Sequence, residues 1–487
     1  MKILPGRFLK AVGLLMLSTT LSGMSAQAAA PAEKAVARPT PQSAVIRPPT
    51  LKLINGLWFN GTDFVATTMY TEDGVFREKQ PAKIDQTIDL GGKFVVPPFG
   101  DAHLHWTTGL GTAKFFSDVV TAALRAGEFY ALDMGGIPMF SPYLNPLINQ
   151  PTSVDYVSAE QRWTASGGHA PVIYAKVAKL GGIAMPADQL ENRAYFLVSN
   201  EADIERDWPL FLASKPGIVK IDFFSSEEHH KRSDDPAYIG IRGINPKLAA
   251  EIVRRAHAAG LRTTAHVQNA ADFHNALMAG VDAVGHIPLG EFTFATDPKT
   301  GQPIRSFATN QNFRFVIAED DARYAGEHQI PVTTTLYRLG ELQSTNPIVV
   351  KQMEQEVVLP NLRLLRKYNV PLVIGTDEIA ALSGPNKVKV LFDEGIYLVS
   401  LGMFSPPEVL RMMTETTPQY IFPERKIGVL RDGYEASFLA YTGNPLTYLG
   451  GGATGFRTPG ALAVRFKQGY PVTVPATKPS SPTGERK

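Results

Sequence analysis

From residue 51 to about 96, apolar stretches alternate with Asn-Gly and Asp-Gly pairs: LKLINGLWFNG, TTMYTEDGVF and QTIDLGGKFVV. Alternation broken by such turns predicts short antiparallel strands and hairpins. After residue 100 the pattern becomes strand followed by helix. The clearest unit spans 245–268. Asn245 is placed to cap a helix, Pro246 sits at its first position and Gly260 ends it. Leu248, Ala249, Ile252, Val253 and Ala256 share one helical face, and LRTTAHV then reads as a strand. A helix (AADFHNALMAG) and a strand (VDAVGH) follow, and later the strands IPVTTTL and VPLVIGTD.

Repeated strand–helix units predict a parallel α/β fold, and we expect a (β/α)8 TIM barrel. An open doubly wound sheet is the alternative, but no Gly-rich phosphate loop follows an early strand. Residues 426–473 return to short strands. The β-rich pieces at both chain ends are expected to pair into one small β-sandwich. The expected organisation is therefore a first β-sandwich segment over 51–96, a barrel over 97–425 and a second β-sandwich segment over 426–473. An Ala- and Pro-rich linker covers 29–50, and a disordered tail covers 474–487.

The start of the chain belongs to none of these. A short basic stretch, an apolar run too short for a comfortable membrane span and an Ala-x-Ala site at Ala26 and Ala28 read as a signal peptide over 1–28. The protein is expected to be exported, periplasmic or secreted. No later apolar run is long enough to cross a bilayer, so no membrane span is expected after cleavage.

Composition narrows the chemistry. With 44% hydrophobic and 19% charged residues the chain reads as globular, and a formal net charge of +2 without a basic stripe gives no sign of a nucleic-acid partner. The 487 residues include no cysteine. That excludes disulfides, a Cys nucleophile and thiolate ligands, so any metal site must use His, carboxylates or lysine.

His103 and His105 are one residue apart after the apolar run VVPPFGDA. On a strand both side chains point the same way. In a barrel that direction is the interior, at the strand end where active sites sit. His266 ends TTAHV, His286 ends DAVGH and Asp377 ends VPLVIGTD. A lone strand-end His is ordinarily a hydrogen-bonded structural residue, and a strand-end Asp an N-cap. Lys220 lies inside the apolar strand GIVKIDFF. Its plain reading is a pair with Asp222, which points the same way. Its sharper reading is a desolvated, neutral amine that adds carbon dioxide to become a carbamate ligand. Four imidazoles and two oxygen donors suit two Zn²⁺-class ions.

The set resembles the amidohydrolase superfamily, in particular its imidazolonepropionase-like and prolidase-like branch, from about residue 51 to 473. VVPPFGDAHLHW resembles the stretch entering the family's first two metal histidines, here His103 and His105. IVKIDF resembles the carboxylated-lysine strand (Lys220). TTAHVQ and AVGHIP resemble the fifth- and sixth-strand histidines (His266, His286), and IGTDE the eighth-strand aspartate (Asp377). SGGHA resembles a motif whose histidine, here His169, contacts substrate. RKIGVLRDGYEASFLAYTGNPL resembles the return to the β-sandwich. Two departures stand out. The family usually has Pro-Gly at Pro97-Pro98 and an apolar residue at Gly100. It usually has Ala-Asp-Leu at Ala436-Ser437-Phe438.

The resemblance implies a metal-dependent hydrolase cleaving a C–N bond of a small substrate, such as a dipeptide or N-acyl amino acid. It implies two divalent ions, Zn²⁺ by preference, a carbamate on Lys220, a metal-bridging hydroxide, and Asp377 as both ligand and catalytic base. Esters, lactones and phosphotriesters are the alternative substrates, and a non-catalytic exported metal- or ligand-binding protein the alternative class. A homo-oligomer is left open. His230, in the polar stretch SSEEHHKRSDD after the Lys220 strand, is a candidate substrate contact against a plain reading as solvated loop. Tyr337 and Trp106 are candidate pocket residues against plain aromatic packing. His257, His274 and His328 read as surface residues.

Overall fold

A computed structural model of the chain describes residues 47–290, 292–296, 303–307, 311–343, 346–380, 390–451 and 455–475. The expected leader, most of the expected linker and nearly all of the expected tail lie outside these residues.

The β-rich pieces from both chain ends form one eight-stranded sheet. Its order runs Tyr470–Pro471, Leu462–Lys467, Phe438–Tyr441, Phe94–Val96, Leu51–Phe59, Phe64–Glu72, Val75–Arg77, with Gln86–Asp89 also beside Leu51–Phe59. The predicted hairpin at Asp73-Gly74 forms, and both turn residues take positive φ (51° and 76°), as its tight reversal requires. The third expected hairpin does not form. Gln86–Asp89 and Phe94–Val96 both run parallel to Leu51–Phe59. Gly91 and Gly92, with φ of 57° and 72°, let the chain step from the first half of that strand to the second without reversing.

The sheet folds over on itself. Phe438 and Phe76 lie four strands apart, roughly 19 Å in a flat sheet at about 4.8 Å per strand. Their ring centroids are 6.2 Å apart, and Trp58 touches both, at 5.8 and 5.9 Å. A register shift between Leu53 and Gly56 bends the strand at the fold's middle. The core is thus enclosed by one curled sheet rather than two separately hydrogen-bonded ones.

The rest is α/β with parallel sheets. One has seven strands in the order Tyr195–Leu197, Arg162–Thr164, Val219–Asp222, Thr263–His266, Ala283–Val284, Val332–Thr333, Leu372–Val373. The other has four: Glu378–Ile379, Phe99–His105, Glu128–Asp133, Asp155–Ser158. Two hydrogen bonds link the sheets: Ala102 N–H donates to Ile374 O, just after Leu372–Val373, at 2.8 Å, and Gly217 N–H, just before Val219–Asp222, donates to Ser158 O at 2.8 Å. The helix Pro246–Ala258 forms as predicted: Asn245 caps it through Lys247 N–H, and the five predicted core residues are buried. An antiparallel hairpin, Phe292–Thr296 with Pro303–Phe307, interrupts the α/β order and was not expected.

Strand alternation sets what faces the site. Trp163 packs outward on Trp208 and Phe211 of the helix Glu201–Ala213. Its register partner is Ile221, so Arg162, Thr164, Lys220 and Asp222 point the other way.

Candidate metal centre

Phe99–His105 is buried along its whole length. Asp101, His103 and His105 lie on one face of it. The Asp101 carboxylate accepts from His103 N–H (2.9 Å), Thr376 N–H (3.1 Å) and Thr376 Oγ1 (2.7 Å). Burial pushes its carboxyl up to about 7 despite these bonds. Asp101 thereby ties the His-x-His strand to the turn carrying Asp377. Asp377 does not end a strand, as the sequence suggested. His103 O accepts from both Thr376 N–H and Asp377 N–H, which turns the chain, and Asp377 takes a left-handed φ of 53°.

Around Asp377 the imidazoles converge. His105 Nε2 lies 3.0 Å and His103 Nε2 3.4 Å from Asp377 Oδ1. Donor atoms of His103, His286 and Asp377 all fall within 4.8 Å of one another. The His103 and His286 rings are 4.4 Å apart, and His266 and His286 4.7 Å. Second contacts fix the rings. His103 Nδ1–H donates to Gly285 O (2.8 Å), and His286 Nδ1 bonds Thr335 Oγ1 (3.1 Å). The carbonyl partner fixes the His103 tautomer with Nε2 unprotonated, as a metal ligand needs, and the Thr335 hydroxyl occupies the Nδ1 side of the His286 ring. Burial drives the protonation of His103, His266 and His286 well below the ordinary imidazole range, so they stand neutral, as ligands must be. Burial works against an ionised Asp377, but the His105 hydrogen bond holds its carboxyl well below the usual range.

Two buried polar atoms mark what the cluster lacks. Lys220 Nζ and His266 Nε2 have no hydrogen-bond partner. A buried unsatisfied group asks for an explanation, and a cation is a direct one for an imidazole. The plain reading of Lys220 fails: Asp222 pairs with Arg162 instead, at 2.5 Å. Burial, then the Arg162 guanidinium, push the Lys220 amine down to about 7. Gly285 makes room for that amine, since a Cβ there would lie 2.6 Å from Nζ. The donor set therefore fits divalent cations, and a neutral lysine fits carboxylation.

The other predicted residues divide. His169 begins the helix His169–Lys179, and its ring lies nearly parallel to those of His266 (4.8 Å) and Phe224 (5.2 Å), which are themselves 6.1 Å apart. Burial and Arg162 push its imidazole down to about 4, so it is neutral. His230 is exposed on the short helix His229–Arg232. Tyr337 is buried with its hydroxyl donating to Glu378 (2.7 Å), and Trp106 stacks on Tyr156. His257 and His274 bond the acids Asp282 and Asp321.

Sequence reading missed three contributors. Asp133 ends an apolar strand just as the ligand residues do, and that signal was available. Its carboxylate accepts from Trp106 N–H, Thr107 N–H, Thr107 Oγ1 and Tyr156 OH, and lies 3.9 Å from His105 Nδ1. Arg162 stands two residues before Thr164 on an inward face. Thr335 sits in a run of three threonines with nothing to single it out.

The profile of the amidohydrolase family matches residues 94–458. Among curated proteins, no sequence matches this chain significantly. Solved structures with the same fold include the ochratoxinase of A. niger, 18% identical, with a TM-score of 0.64 over 88% of this chain and 96% of that one. A Xaa-Pro dipeptidase with methionine bound in its active site is 15% identical, with a TM-score of 0.62 over 87% and 99%. A putative prolidase from Bifidobacterium longum is 16% identical, with a TM-score of 0.61 over 89% and 97%.

Proposed function

Because the chain belongs to the amidohydrolase family, we propose that it hydrolyses a C–N bond of a small substrate such as a dipeptide or N-acyl amino acid, using two divalent metal ions. The observation carrying this reading is the cluster itself: His103, His286 and Asp377 converge within 4.8 Å beside two buried, unpartnered donors. The dipeptidase and prolidase among the structural neighbours agree with the substrate class. We read the two linked parallel sheets as the expected (β/α)8 barrel, with some of its strands broken into two short pieces, the curled sheet as the small β-sandwich, and the protein as exported.

His103, His105, His266, His286, Asp377 and a carboxylated Lys220 would hold the ions. Bound there, Zn²⁺-class ions supply an activated water and polarise a carbonyl. The chain's own residues do the rest. Asp377, kept ionised, takes the proton of the attacking water and passes it to the leaving amine, acting first as base and then as acid. His169 is neutral, so a ring N–H is available to the scissile carbonyl or to a substrate carboxylate. Asp133 and Thr335 orient the ligand rings they contact.

A panel of dipeptides, N-acyl amino acids, lactones and aryl esters, offered to Zn²⁺-loaded protein, tests the reading. Turnover of the first two classes above the others is expected. Turnover of lactones or esters alone would move the enzyme to the ester branch, and turnover of none, with metal bound, would overturn the enzymatic reading.

A further inference from the structure

Thr335 is held in a conformation its side chain disfavours. Its φ is 51°, and a β-branched residue in the left-handed region is a true outlier. Strain of that kind persists only where the surroundings over-determine it. Here they do. Thr335 N–H donates to Gly375 O (3.1 Å) on the neighbouring strand connection. The next two amides, Leu336 N–H and Tyr337 N–H, both donate to Oε2 of Glu394, at 2.7 and 2.6 Å. Glu394 is fully buried on the helix Val390–Ser400. The chain is thus clamped immediately before and after the bend, and a glycine would fit the bend more easily.

The bend has a geometric result. It turns the Thr335 hydroxyl to His286 Nδ1, 3.1 Å away. The same segment braces the second ligand beside it, since Arg338 donates to Asp377 O at 2.7 Å. We propose that Thr335 is a positioning residue, retained despite its strain because its hydroxyl fixes the His286 ring with Nε2 toward the cation. The proposal rests on the metal-binding reading above. Loss of such an outer contact costs about 10–100-fold in metal affinity.

The test is Zn²⁺ affinity, measured by competition with a chelating dye in bicarbonate buffer, alongside thermal unfolding of the metal-free protein. Thr335→Val keeps the shape and the strain but removes the hydroxyl, and should bind Zn²⁺ about 10–100-fold more weakly. Thr335→Ser keeps the hydroxyl and should bind within about threefold of wild type, by the same reasoning. Thr335→Gly should lose affinity as Val does, yet unfold at the same or a higher temperature, because the strain is gone. That opposition, affinity down and stability up, is a pattern a merely structural threonine would not give. Val or Gly variants that bind as tightly as wild type would overturn the proposal while leaving the metal reading intact. A wild-type protein that binds no Zn²⁺ would overturn the metal reading and this proposal with it. If the Val variant does not fold, the Ser–Gly comparison decides.

Discussion

Asp377 occupies left-handed backbone at φ 53°, which Asp and Asn tolerate better than other side-chain-bearing residues. Asp377→Asn therefore preserves the turn and a ligand oxygen while removing the base. The variant should keep its metal content and lose about 10²–10⁴-fold in kcat; near-normal turnover would remove Asp377 from proton transfer. Lys220 carries a different signature. Its folded-state value is near 7, below the ordinary 10.5 of the unfolded chain. Between those values the unfolded chain holds a proton that the folded one does not, so stability rises with pH across that window. The burden is full below about 7 and gone above the unfolded value. In metal-free protein, urea unfolding of wild type relative to Lys220→Met should therefore improve from pH 7 to 10, and a flat or falling difference would contradict a depressed amine. These residues were legible because imidazoles, a carboxylate and an apolar-strand lysine are rare at strand ends. Asp222 was misjudged because sequence shows that two residues share a face, not that Arg162 competes from the next strand. Thr335 was illegible because a backbone angle is not written in a threonine.

At the scale of elements, the helices were the most readable. Caps and periodicity are local, and Asn245, Pro246 and the apolar face of Pro246–Ala258 state themselves. Strand direction is not local. Gln86–Asp89 and Phe94–Val96 looked like hairpin partners, and only the position of Leu51–Phe59 between other strands makes them parallel. Gly100 shows a departure explained by packing: a Cβ there would meet the Pro418 ring at 3.1 Å. The elements are also joined by charge. On the last long strand of the curled sheet, Lys467 donates to Asp155 Oδ1 (2.5 Å), on a strand of the four-stranded parallel sheet. Arg425 pairs with Asp155 (2.7 Å) and with Glu435 (2.7 Å). Lys467 and Asp155 side chains are 0% and 8% exposed, so removing one partner strands a buried charge. Asp155→Ala should cost about 3–5 kcal/mol in denaturant unfolding. A loss near zero would mean the network does not hold the two sheets together.

For the whole molecule, the α/β class and the involvement of both chain ends were legible from where the hydrophobic period changes. The curl of the end sheet was not, since it depends on a bulge and on rings meeting across four strands. The proposed metal centre draws its ligands from residues 103 to 377, on strands and turns of both parallel sheets. Cations bound there must therefore stabilise the fold as a whole. Free Zn²⁺ at about 100 times its Kd should add roughly 2.7 kcal/mol per site, and chelation should lower Tm by the matching amount. An unchanged Tm would argue against binding to the folded state. The central claim, that these six residues build a two-metal centre, is tested most directly by anomalous diffraction at the zinc edge from crystals grown with Zn²⁺ and bicarbonate. The account predicts two peaks about 3.5–4 Å apart, enclosed by His103, His105, His266, His286 and Asp377 and bridged by density extending from Lys220 Nζ. No peak there, or peaks only among surface acids, would contradict it.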